Sequence, residues 1–427
     1  MTARELVLDL LLKAEKSKQY SNIALDNALS KADFSSADKG LVSAIFYGVI
    51  ERRITLDYQI KALSSRDIKN IDARTLNAIR IGLYQLIYLD RIPPHAAINE
   101  SVSLCSKKSS GFANAILRSF LRKGALTLPD TKNQLEYLSV AYSVDIPLIS
   151  KLVSVYGYEE SEKLLLAINE APPTTLRVNT LLTNKNELIE KIPRGAFTKN
   201  APNGIFVQGS VRELFGFEDG MFFVQDEASQ ICVEALGAKA GELVMDICSC
   251  PGSKSFGAAI NMENVGEIFS FDLHENKLSL VINGAKRLKI DIIKTSACDG
   301  RHFLSEFENK ADRIICDVPC SGFGVLAKKP ELRYKDPKES AALPKIQSDI
   351  LENACKYLKS GGTLIYSTCT IFPEENEQNI NAFLSRHPEF YLEAWRVGDI
   401  VASNGMLTLL PHVHKTDGFF IAKLKKK

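Results

Sequence analysis

The feature that most constrains this chain is a regular alternation of short apolar segments and helical segments that starts near Gln225. Because parallel strands need long crossover connections, usually helices, this alternation predicts a doubly wound, mostly parallel sheet of the Rossmann-like α/β class. Ligands of such sheets bind beyond the carboxyl ends of the strands, and several of the apolar segments end at an acidic residue. The predicted strands are residues 243–246, 268–272, 313–317 and 363–367.

The sequence before this alternation predicts two further domains. Residues 1–127 have apolar residues at helical spacing, as at Leu6 and Leu10, and no alternating strand pattern, which predicts an all-α domain. Residues 128–224 begin with a helical stretch and continue with short β-like runs, which predicts a helical linker and a small α+β module. Residues 225–427 then form the α/β domain.

The composition is that of a globular chain. Its 427 residues are 45% hydrophobic, and no apolar run reaches the roughly 18–20 residues that a membrane span needs. The formal net charge of +2 gives no bulk attraction for polyanions, although local clusters of charge can bind them. The 9 cysteines are scattered and odd in number, which favours free thiols in a reducing compartment over a disulfide framework. We therefore expect a cytoplasmic monomer that is not attached to a membrane.

The most informative turn of the predicted sheet lies within residues 245–255. It leads from a strand through a Pro-Gly turn into a helix that we expect to begin near Ser255. Ser253 separates Gly252 from Lys254, so the phosphate-binding GxxxxGK[ST] pattern is not met, and a dinucleotide GxGxxG pattern is absent too. Gly252 permits close backbone approach, and the helix N-terminus supplies N–H donors. The remaining interpretation is a loop that binds S-adenosylmethionine.

Acidic residues at the ends of successive strands support this interpretation. Asp272 follows the loop at about the distance at which an acidic residue contacts ribose hydroxyls in doubly wound folds. Asp299, after a third strand, is in the right place to contact an adenine amino group. A single acidic residue in a turn is more often simply solvated, but Asp246, Asp272, Asp299 and Asp317 together make coincidence a weaker explanation.

Two cysteines, Cys320 and Cys369, follow neighbouring strands of the predicted sheet, in loops with small polar residues. Carbon 5 of cytosine is a poor nucleophile, but a thiolate that adds to carbon 6 makes carbon 5 enamine-like, so that it attacks a sulfonium methyl group. The adduct then needs a second group to release the product, and Asp317 is positioned to stabilise charge at ring nitrogen 3. The two cysteines beside a methyl-donor loop therefore predict this chemistry.

Other uses of the cysteines fit the sequence less well. Cys248 and Cys250 with His412 and His414 lack the paired C-x-x-C spacing of a zinc site. A C-x-x-C redox motif is absent as well. We therefore predict that the protein has no metal.

These motifs resemble those of the RNA 5-methylcytosine methyltransferases, specifically the bacterial RsmB (Sun or Fmu) branch, which acts on ribosomal RNA. The resemblance covers essentially the whole chain. In the C-terminal half the similar stretches are residues 224–229, 246–254, 271–278, 317–322, 366–370 and 416–420. In the N-terminal part, the stretches that resemble the NusB-type helical RNA-binding domain of this branch are residues 93–100 and 114–118.

The resemblance implies that Cys369 is the nucleophile and that Cys320 assists release of the methylated product. By contrast, the Pro-Cys motif of DNA cytosine methyltransferases would make Cys320 the nucleophile. Lys254 and Asp317 would both lie near the nucleophile, where a cation favours the thiolate. The residues that the resemblance assigns to S-adenosylmethionine are Cys248, Ser249, Cys250, Pro251, Gly252, Ser253, Lys254, Asp272, Asp299 and Asp317.

The resemblance also implies a substrate, which is an unpaired cytosine of 16S ribosomal RNA, of the cytosine-967 type. It implies a NusB-like domain and an RRM-like module that bind RNA. A transfer-RNA cytosine-5 methyltransferase and a non-catalytic NusB-like RNA-binding assembly protein remain alternatives. The loop departs from the usual Cys-Ala-Ala-Pro-Gly-Gly-Lys of the family, and Ser253 in place of glycine would be strained if its φ were positive.

Two clusters of basic residues are candidates for contacts with phosphates. In the second cluster, Arg333 or Tyr334 is a candidate to stack on a splayed base. The cluster near the end of the helical domain consists of Lys107, Lys108, Arg118, Arg122 and Lys123. The cluster that follows the Cys320 loop consists of Lys328, Lys329, Arg333, Lys335 and Lys338 around Tyr334.

Overall fold

The structure is a computed structural model that describes residues 1–15, 21–170 and 172–427. The predicted helical domain and the predicted α+β module extend over residues 16–20 and 171, which lie outside the described residues. By its internal packing the chain divides into two compact units, and the predicted domain boundaries remain predictions. The first unit is Met1–Asn169 with Lys328–Pro337, and the second is Glu170–Ala327 with Lys338–Lys427.

The first unit is helical, and no strand occurs among its described residues. Its helices are α1 (Ala3–Ala14), α2 (Ser21–Lys31), α3 (Ser36–Glu51), α4 (Arg53–Leu63), α5 (Ala73–Tyr88), α6 (Pro94–Ser103), α7 (Ser110–Lys123), α8 (Gln134–Tyr142), α9 (Ile146–Tyr156) and α10 (Tyr158–Ala167). Ser35 begins α3 by accepting a hydrogen bond from the N–H of Asp38 at 3.1 Å. Leu6 and Leu10, one turn apart on α1, are both buried in the core. The all-α prediction is thus confirmed.

The segment Lys328–Pro337 packs into this helical unit. Arg333 is 0% exposed, and its guanidinium donates to Oδ1 of Asn169 at 2.5 Å. The hydroxyl of Tyr334 donates to the carbonyl of Ile50 at 2.6 Å. The expectation that Arg333 or Tyr334 stacks on a splayed base is therefore wrong, because both side chains are bound within the helical unit.

The second unit begins with the predicted α+β module. Its strands and helix are β1 (Thr174–Val178), α11 (Lys185–Ile189), β2 (Ala196–Phe197), β3 (Gly204–Val207) and β4 (Phe222–Val224). They include a 4-stranded sheet in the order β2-β3-β1-β4, in which every pairing is antiparallel.

An 8-stranded sheet occupies the rest of the second unit. Its strands are β5 (Leu243–Asp246), β6 (Glu267–Asp272), β7 (Ile293–Ala297), β8 (Ala311–Asp317), β9 (Leu358–Thr368), β10 (Phe390–Leu392), β13 (Met406–Leu409) and β14 (Phe419–Lys426), while β11 (Trp395–Val397) and β12 (Ile400–Ala402) form a separate pair. The helices are α12 (Glu227–Leu236), α13 (Ser253–Asn261), α14 (Glu275–Leu288), α15 (Leu343–Ala354), α16 (Glu377–Arg386) and α17 (Pro411–His414).

The strand order is β10-β14-β9-β8-β5-β6-β7, with β13 paired to β14. From β9 to β7 all neighbours are parallel, which confirms the predicted Rossmann-like α/β class. The antiparallel strands β10, β13 and β14, which extend the sheet beyond β9, are not predicted by the sequence pattern.

The parallel register brings the predicted strand ends to one edge of this sheet. Asp246 pairs with Ser270 on β6, and Asp317 pairs with Ser367 on β9. Because parallel strands run in the same direction, the loops that follow β5 to β9 leave the sheet at a common edge. The predicted site residues lie on these strand ends and loops, and Lys254 lies in the first turn of α13.

Among the described residues, no single helix has the length and apolar composition to cross a membrane. Helices α8 and α9 pass that test only as a pair bent by 114°.

Candidate active site

The loop between β5 and α13 is fixed by contacts at both of its ends. Asp246 is 1% exposed and accepts a hydrogen bond from Oγ of Ser255 at 2.6 Å, which ties the end of β5 to the first turn of α13. Within the loop, the N–H of Ser249 donates to the carbonyl of Phe271 at 2.7 Å. Gly252 precedes the helix with a φ of 108°, a conformation that favours glycine. The loop is therefore held against β6.

Ser253, the departure from the family pattern, fits the loop without backbone strain. It is the first residue of α13 and does not have a positive φ. The helix thus begins two residues earlier than predicted from the sequence. Oγ of Ser249 is buried and has no hydrogen-bond partner among the described residues. Because buried polar atoms are nearly always paired in native proteins, this hydroxyl is suited to contact a ligand.

Asp272 is the last residue of β6 and Asp299 follows β7, as predicted. Oδ2 of Asp272 accepts from the N–H of Cys250 at 3.2 Å, and Oδ1 accepts from the N–H of His274 at 3.0 Å. Asp272 thereby joins the loop between β5 and α13 to the end of β6. Asp299 instead forms a bidentate pair with Arg301, whose Nη2 lies 2.6 Å from Oδ2. The Arg301 hydrogen bond lowers the pKa of Asp299 to about 2.

The buried Lys254 forms an ion pair with the partly exposed Asp317, with Nζ 2.6 Å from Oδ2. Oδ1 of Asp317 accepts from Oγ of Ser367 at 2.7 Å, so both oxygens of the carboxylate are held. Nζ of Lys254 also lies 5.1 Å from the centre of the Phe419 ring. Burial acts to lower the pKa of Lys254, but the charge of Asp317, the hydrogen bond to it and the other acidic groups nearby together outweigh burial, and the pKa lies above its usual value. Lys254 is thus a fixed positive charge.

Cys320 and Cys369 are brought together at the ends of β8 and β9. Their Sγ atoms lie 3.0 Å apart, and the N–H of Cys369 points to Sγ of Cys320 at 3.2 Å. Neither cysteine is in a disulfide bond, and both are partly exposed. The hydrogen bond to Cys369, together with burial, raises the pKa of Cys320 well above its usual value. Cys320 therefore keeps its proton, and its thiol is able to donate a hydrogen bond to the sulfur of Cys369.

Comparisons with known proteins match three parts of this chain to known families. Residues 233–425 match the family described as 16S rRNA methyltransferase RsmB/F, residues 1–122 match the NusB family, and residues 148–211 match the ferredoxin-like domain of RsmF/B-like methyltransferases. The probable ribosomal RNA small subunit methyltransferase B of Bacillus subtilis (strain 168) is 35% identical to this chain, and the match covers 100% of this chain and 99% of that protein.

The chain belongs to the ribosomal RNA small subunit methyltransferase B family. The family's representative from Citrobacter koseri is 33% identical, with 92% of each chain covered. The crystal structure of PH0851 matches 100% of this chain and 99% of its own at a TM-score of 0.81 and 28% identity. Membership in the ribosomal RNA small subunit methyltransferase B family confirms the resemblance seen in the motifs. The NusB and ferredoxin-like matches agree with the predicted helical and α+β architecture.

Two residues that contribute to the site, Ser367 and Glu375, are not predicted by the sequence. Ser367, which orients Asp317, is the last residue of the predicted strand 363–367, and nothing in the sequence pattern indicates this role. Glu375 lies in an acidic run at residues 374–377, and such runs usually indicate a solvated surface. It is nevertheless 2% exposed and bound to Ser321 and Gln347. No local signal distinguishes Glu375 from its acidic neighbours.

The remaining cysteines near the donor loop differ from the pair at the strand ends. Burial and the carboxylate of Asp272 raise the pKa of Cys250 to about 12, so this thiol is neutral at physiological pH. Among the described residues there is no group of three or more His, Cys, Asp or Glu side chains that could hold a metal ion.

Proposed function

We propose that this chain transfers a methyl group from S-adenosylmethionine to carbon 5 of a cytosine in 16S ribosomal RNA, through a covalent adduct on Cys369. The observation that supports this most strongly is the 3.0 Å distance between the Sγ atoms of Cys320 and Cys369, at strand ends next to the Lys254–Asp317 ion pair. Two thiols at this distance suit a reaction that must both make and break a carbon–sulfur bond.

The residues of the donor loop are chemically suited to S-adenosylmethionine. The unpaired hydroxyl of Ser249 offers a polar contact, and the carboxylate of Asp272 is suited to accept from ribose hydroxyls. Asp299 pairs with Arg301, so a contact with an adenine amino group would share its oxygens with the guanidinium. The wider assignment of residues 248–254 to this cofactor is part of the proposal. Bound there, S-adenosylmethionine supplies an electrophilic methyl group.

The chain's own residues then act on the pyrimidine ring. The thiolate of Cys369 forms a bond to carbon 6, and the electron pair of the 5,6 double bond moves to carbon 5. Carbon 5 would then take the methyl group, whose bond to the sulfonium sulfur breaks, so that S-adenosylhomocysteine is the leaving group. Asp317, oriented by Lys254 and Ser367, is the residue assigned to ring nitrogen 3. The positive charge of Lys254 offsets the negative charge that develops in the ring.

Product release reverses the addition. The proton on carbon 5 is lost to solvent, its electron pair restores the 5,6 double bond, and the bond between carbon 6 and sulfur breaks, so that Cys369 leaves as a thiolate. The protonated Cys320, 3.0 Å away, donates a hydrogen bond that stabilises this leaving thiolate. This assigns Cys369 to addition and Cys320 to release, in agreement with the family resemblance.

The proposed substrate is unpaired RNA, because a stacked cytosine cannot reach a thiol at the edge of a sheet. In the helical unit, the basic residues near α7 are exposed and suited to contact phosphates. They are Lys107, Lys108, Arg118, Arg122 and Lys123. Family membership favours ribosomal RNA, and position 967 of 16S RNA is the target that we propose.

The proposal is tested with unmodified 16S ribosomal RNA, transfer RNA and S-adenosylmethionine labelled on the methyl group. We expect 5-methylcytosine in 16S RNA only, and a fall of at least about 1,000-fold for Cys369→Ala. Cys320→Ala should instead accumulate a protein–RNA adduct on a denaturing gel. Methylation of transfer RNA alone would favour the alternative substrate. No transfer to either RNA, or an adduct in Cys369→Ala but not in Cys320→Ala, would overturn the proposed function or the assignment of the two thiols.

A further inference from the structure

A buried carboxylate that takes no direct part in the proposed mechanism lies beside the two cysteines. Glu375 is 2% exposed and follows Cys369 in the chain, between β9 and α16. Burial of an ionised carboxylate costs free energy unless hydrogen-bond donors replace the lost water. The donors around Glu375 therefore show which part of the protein this side chain positions.

The donors come from both sides of the loop that contains Cys320. The N–H of Ser321 donates to Oε2 of Glu375 at 2.9 Å, and its hydroxyl donates to Oε1 at 2.5 Å. Nε2 of Gln347, on α15, donates to Oε2 at 2.8 Å and to the carbonyl of Pro319 at 2.9 Å. Glu375 thus holds the residue after Cys320 directly and the residue before it through Gln347.

The same segment is tied to the strand that leads to Cys369. The hydroxyl of Tyr366 donates to the carbonyl of Glu375 at 2.6 Å. The next residue, Asn376, accepts from Oγ1 of Thr368 at 2.6 Å and donates to the carbonyl of Thr370 at 3.0 Å. The residues on either side of Cys369 are therefore hydrogen-bonded to the same segment that binds the Cys320 loop.

We propose, on the basis of the function proposed above, that Glu375 is a positioning residue that fixes Cys320 against Cys369 and thereby sets the rate of product release. It touches neither thiol through a hydrogen bond of its own and acts through Ser321 and Gln347. Methyl transfer needs only Cys369, whereas release needs Cys320 within hydrogen-bond reach. Loss of Glu375 should therefore slow release more than transfer.

The variant that tests this inference is Glu375→Gln. Glutamine keeps the size of the side chain, but it has one acceptor oxygen where glutamate has two. Its NH2 group would face an N–H or O–H donor of Ser321 or Gln347, and that hydrogen bond would be lost. We expect the multiple-turnover rate to fall roughly 10- to 100-fold, because a shift of about 1 Å at a reacting group is enough for such a loss. Methyl transfer in a single turnover should fall by less than about threefold, and a protein–RNA adduct should accumulate.

A double-mutant comparison separates positioning from a general loss of structure. If Glu375 acts only through Cys320, Glu375→Gln should add no further loss of turnover to Cys320→Ala. The matched control is Glu377→Gln, since Oε1 of Glu377 accepts from Thr408 at 2.7 Å, away from the Cys320 loop. This control should keep the wild-type rates. Should Glu375→Gln fail to fold, Ser321→Ala removes the hydroxyl contact, keeps the backbone contact, and should give a smaller adduct band.

The outcomes distinguish this inference from the proposed function. If Cys320→Ala itself forms no adduct, the assignment of the two thiols fails. If Cys320→Ala forms the adduct while Glu375→Gln and Ser321→Ala release product at the wild-type rate, the role of Glu375 is overturned and that of Cys320 stands. Equal losses of single-turnover transfer and of multiple turnover in Glu375→Gln would also overturn the inference, because they indicate a structural role.

Discussion

The carbonyl of Gly324 accepts a hydrogen bond from the N–H of Gly418 at 2.8 Å. The N–H of Gly324 donates in turn to the carbonyl of Cys369 at 2.9 Å. The loop of Cys320, the loop of Cys369 and the segment that leads into β14 are thus joined through one glycine. A Cβ atom on Gly324 would lie 1.9 Å from the oxygen of Gly418, and that obstacle is backbone.

Gly324→Ala should therefore move the two cysteine loops apart. We expect turnover to fall roughly 100-fold because the distance between the reacting groups changes, and stability to fall by about 1–3 kcal/mol from overpacking. Methyl-transfer kinetics and thermal unfolding measure the two effects. Gly40→Ala, where a Cβ atom on α3 meets nothing within 4 Å, is the control and should keep full activity. Wild-type turnover in Gly324→Ala would mean that the loops tolerate the displacement.

Asp272→Ala should weaken binding of the cofactor. The carboxylate holds the N–H groups of Cys250 and His274 and is the proposed partner of the ribose. Because hydrogen bonds to a charged group contribute about 1.5–3 kcal/mol, we expect the Kd for S-adenosylhomocysteine to rise roughly 10- to 100-fold in calorimetry. Asp291→Ala removes an exposed carboxylate before β7, at the opposite edge of the sheet, and should leave the Kd unchanged. An unchanged Kd for Asp272→Ala would remove Asp272 from the cofactor site.

Asp246 should make the stability of the second unit depend on pH. Burial, with a smaller effect of the charge on Asp317, raises the pKa of Asp246 to about 7. An unfolded aspartate titrates near 4, so the folded protein binds a proton between about pH 4 and 7 that the unfolded chain has lost. The stabilisation from this group is full below about pH 4 and is lost as the pH rises through about 7.

Asp246→Asn removes this titration while it keeps the shape of the side chain. Relative to the wild type, the variant should gain about 2–3 kcal/mol of unfolding free energy between pH 5 and pH 8. The fluorescence of Trp395, the only tryptophan and part of the second unit's core, follows the transition in denaturant. Parallel pH profiles for the two proteins would contradict the raised pKa.

Arg333→Ala should destabilise the helical unit. The guanidinium donates to the carbonyl of Ile168 at 2.8 Å and to Asn169, and it lies 3.3 Å from the carboxylate of Glu51. Because Glu51 is partly exposed, we expect a loss of about 1.5–3 kcal/mol, as is typical of a hydrogen bond to a charged group. Far-UV circular dichroism in denaturant measures this loss.

The exposed Arg122 on α7 supplies the comparison for Arg333. Arg122→Ala should change stability by less than about 0.5 kcal/mol, while it weakens RNA binding in a salt-dependent way. The opposite pattern for Arg333→Ala, with wild-type stability and weakened RNA binding, would restore its predicted role in stacking on a base.

The central strands could be predicted because their signal is local. The predicted strand 243–246 coincides with β5, and 363–367 lies within β9. Each is a short apolar run that parallel packing buries on both faces. The sequence pattern does not predict strand β14, because its apolar run, residues 419–422, is short and its partner β9 lies far away in sequence. Its apolar residues become recognisable as a strand only once that pairing exists.

The sequence by itself determined the strand ends, the donor loop and the two cysteine loops, because hydrophobic period and turn residues depend on near neighbours in the chain. Only the tertiary structure decided that the two sulfur atoms lie 3.0 Å apart, that Arg333 is buried and that Glu375 is the acidic residue turned inward. A buried charge is stable only where hydrogen-bond donors surround it, and these donors can come from residues far away in the sequence. The donors of Glu375 lie 54 and 28 residues away along the chain, and no local pattern records such partners.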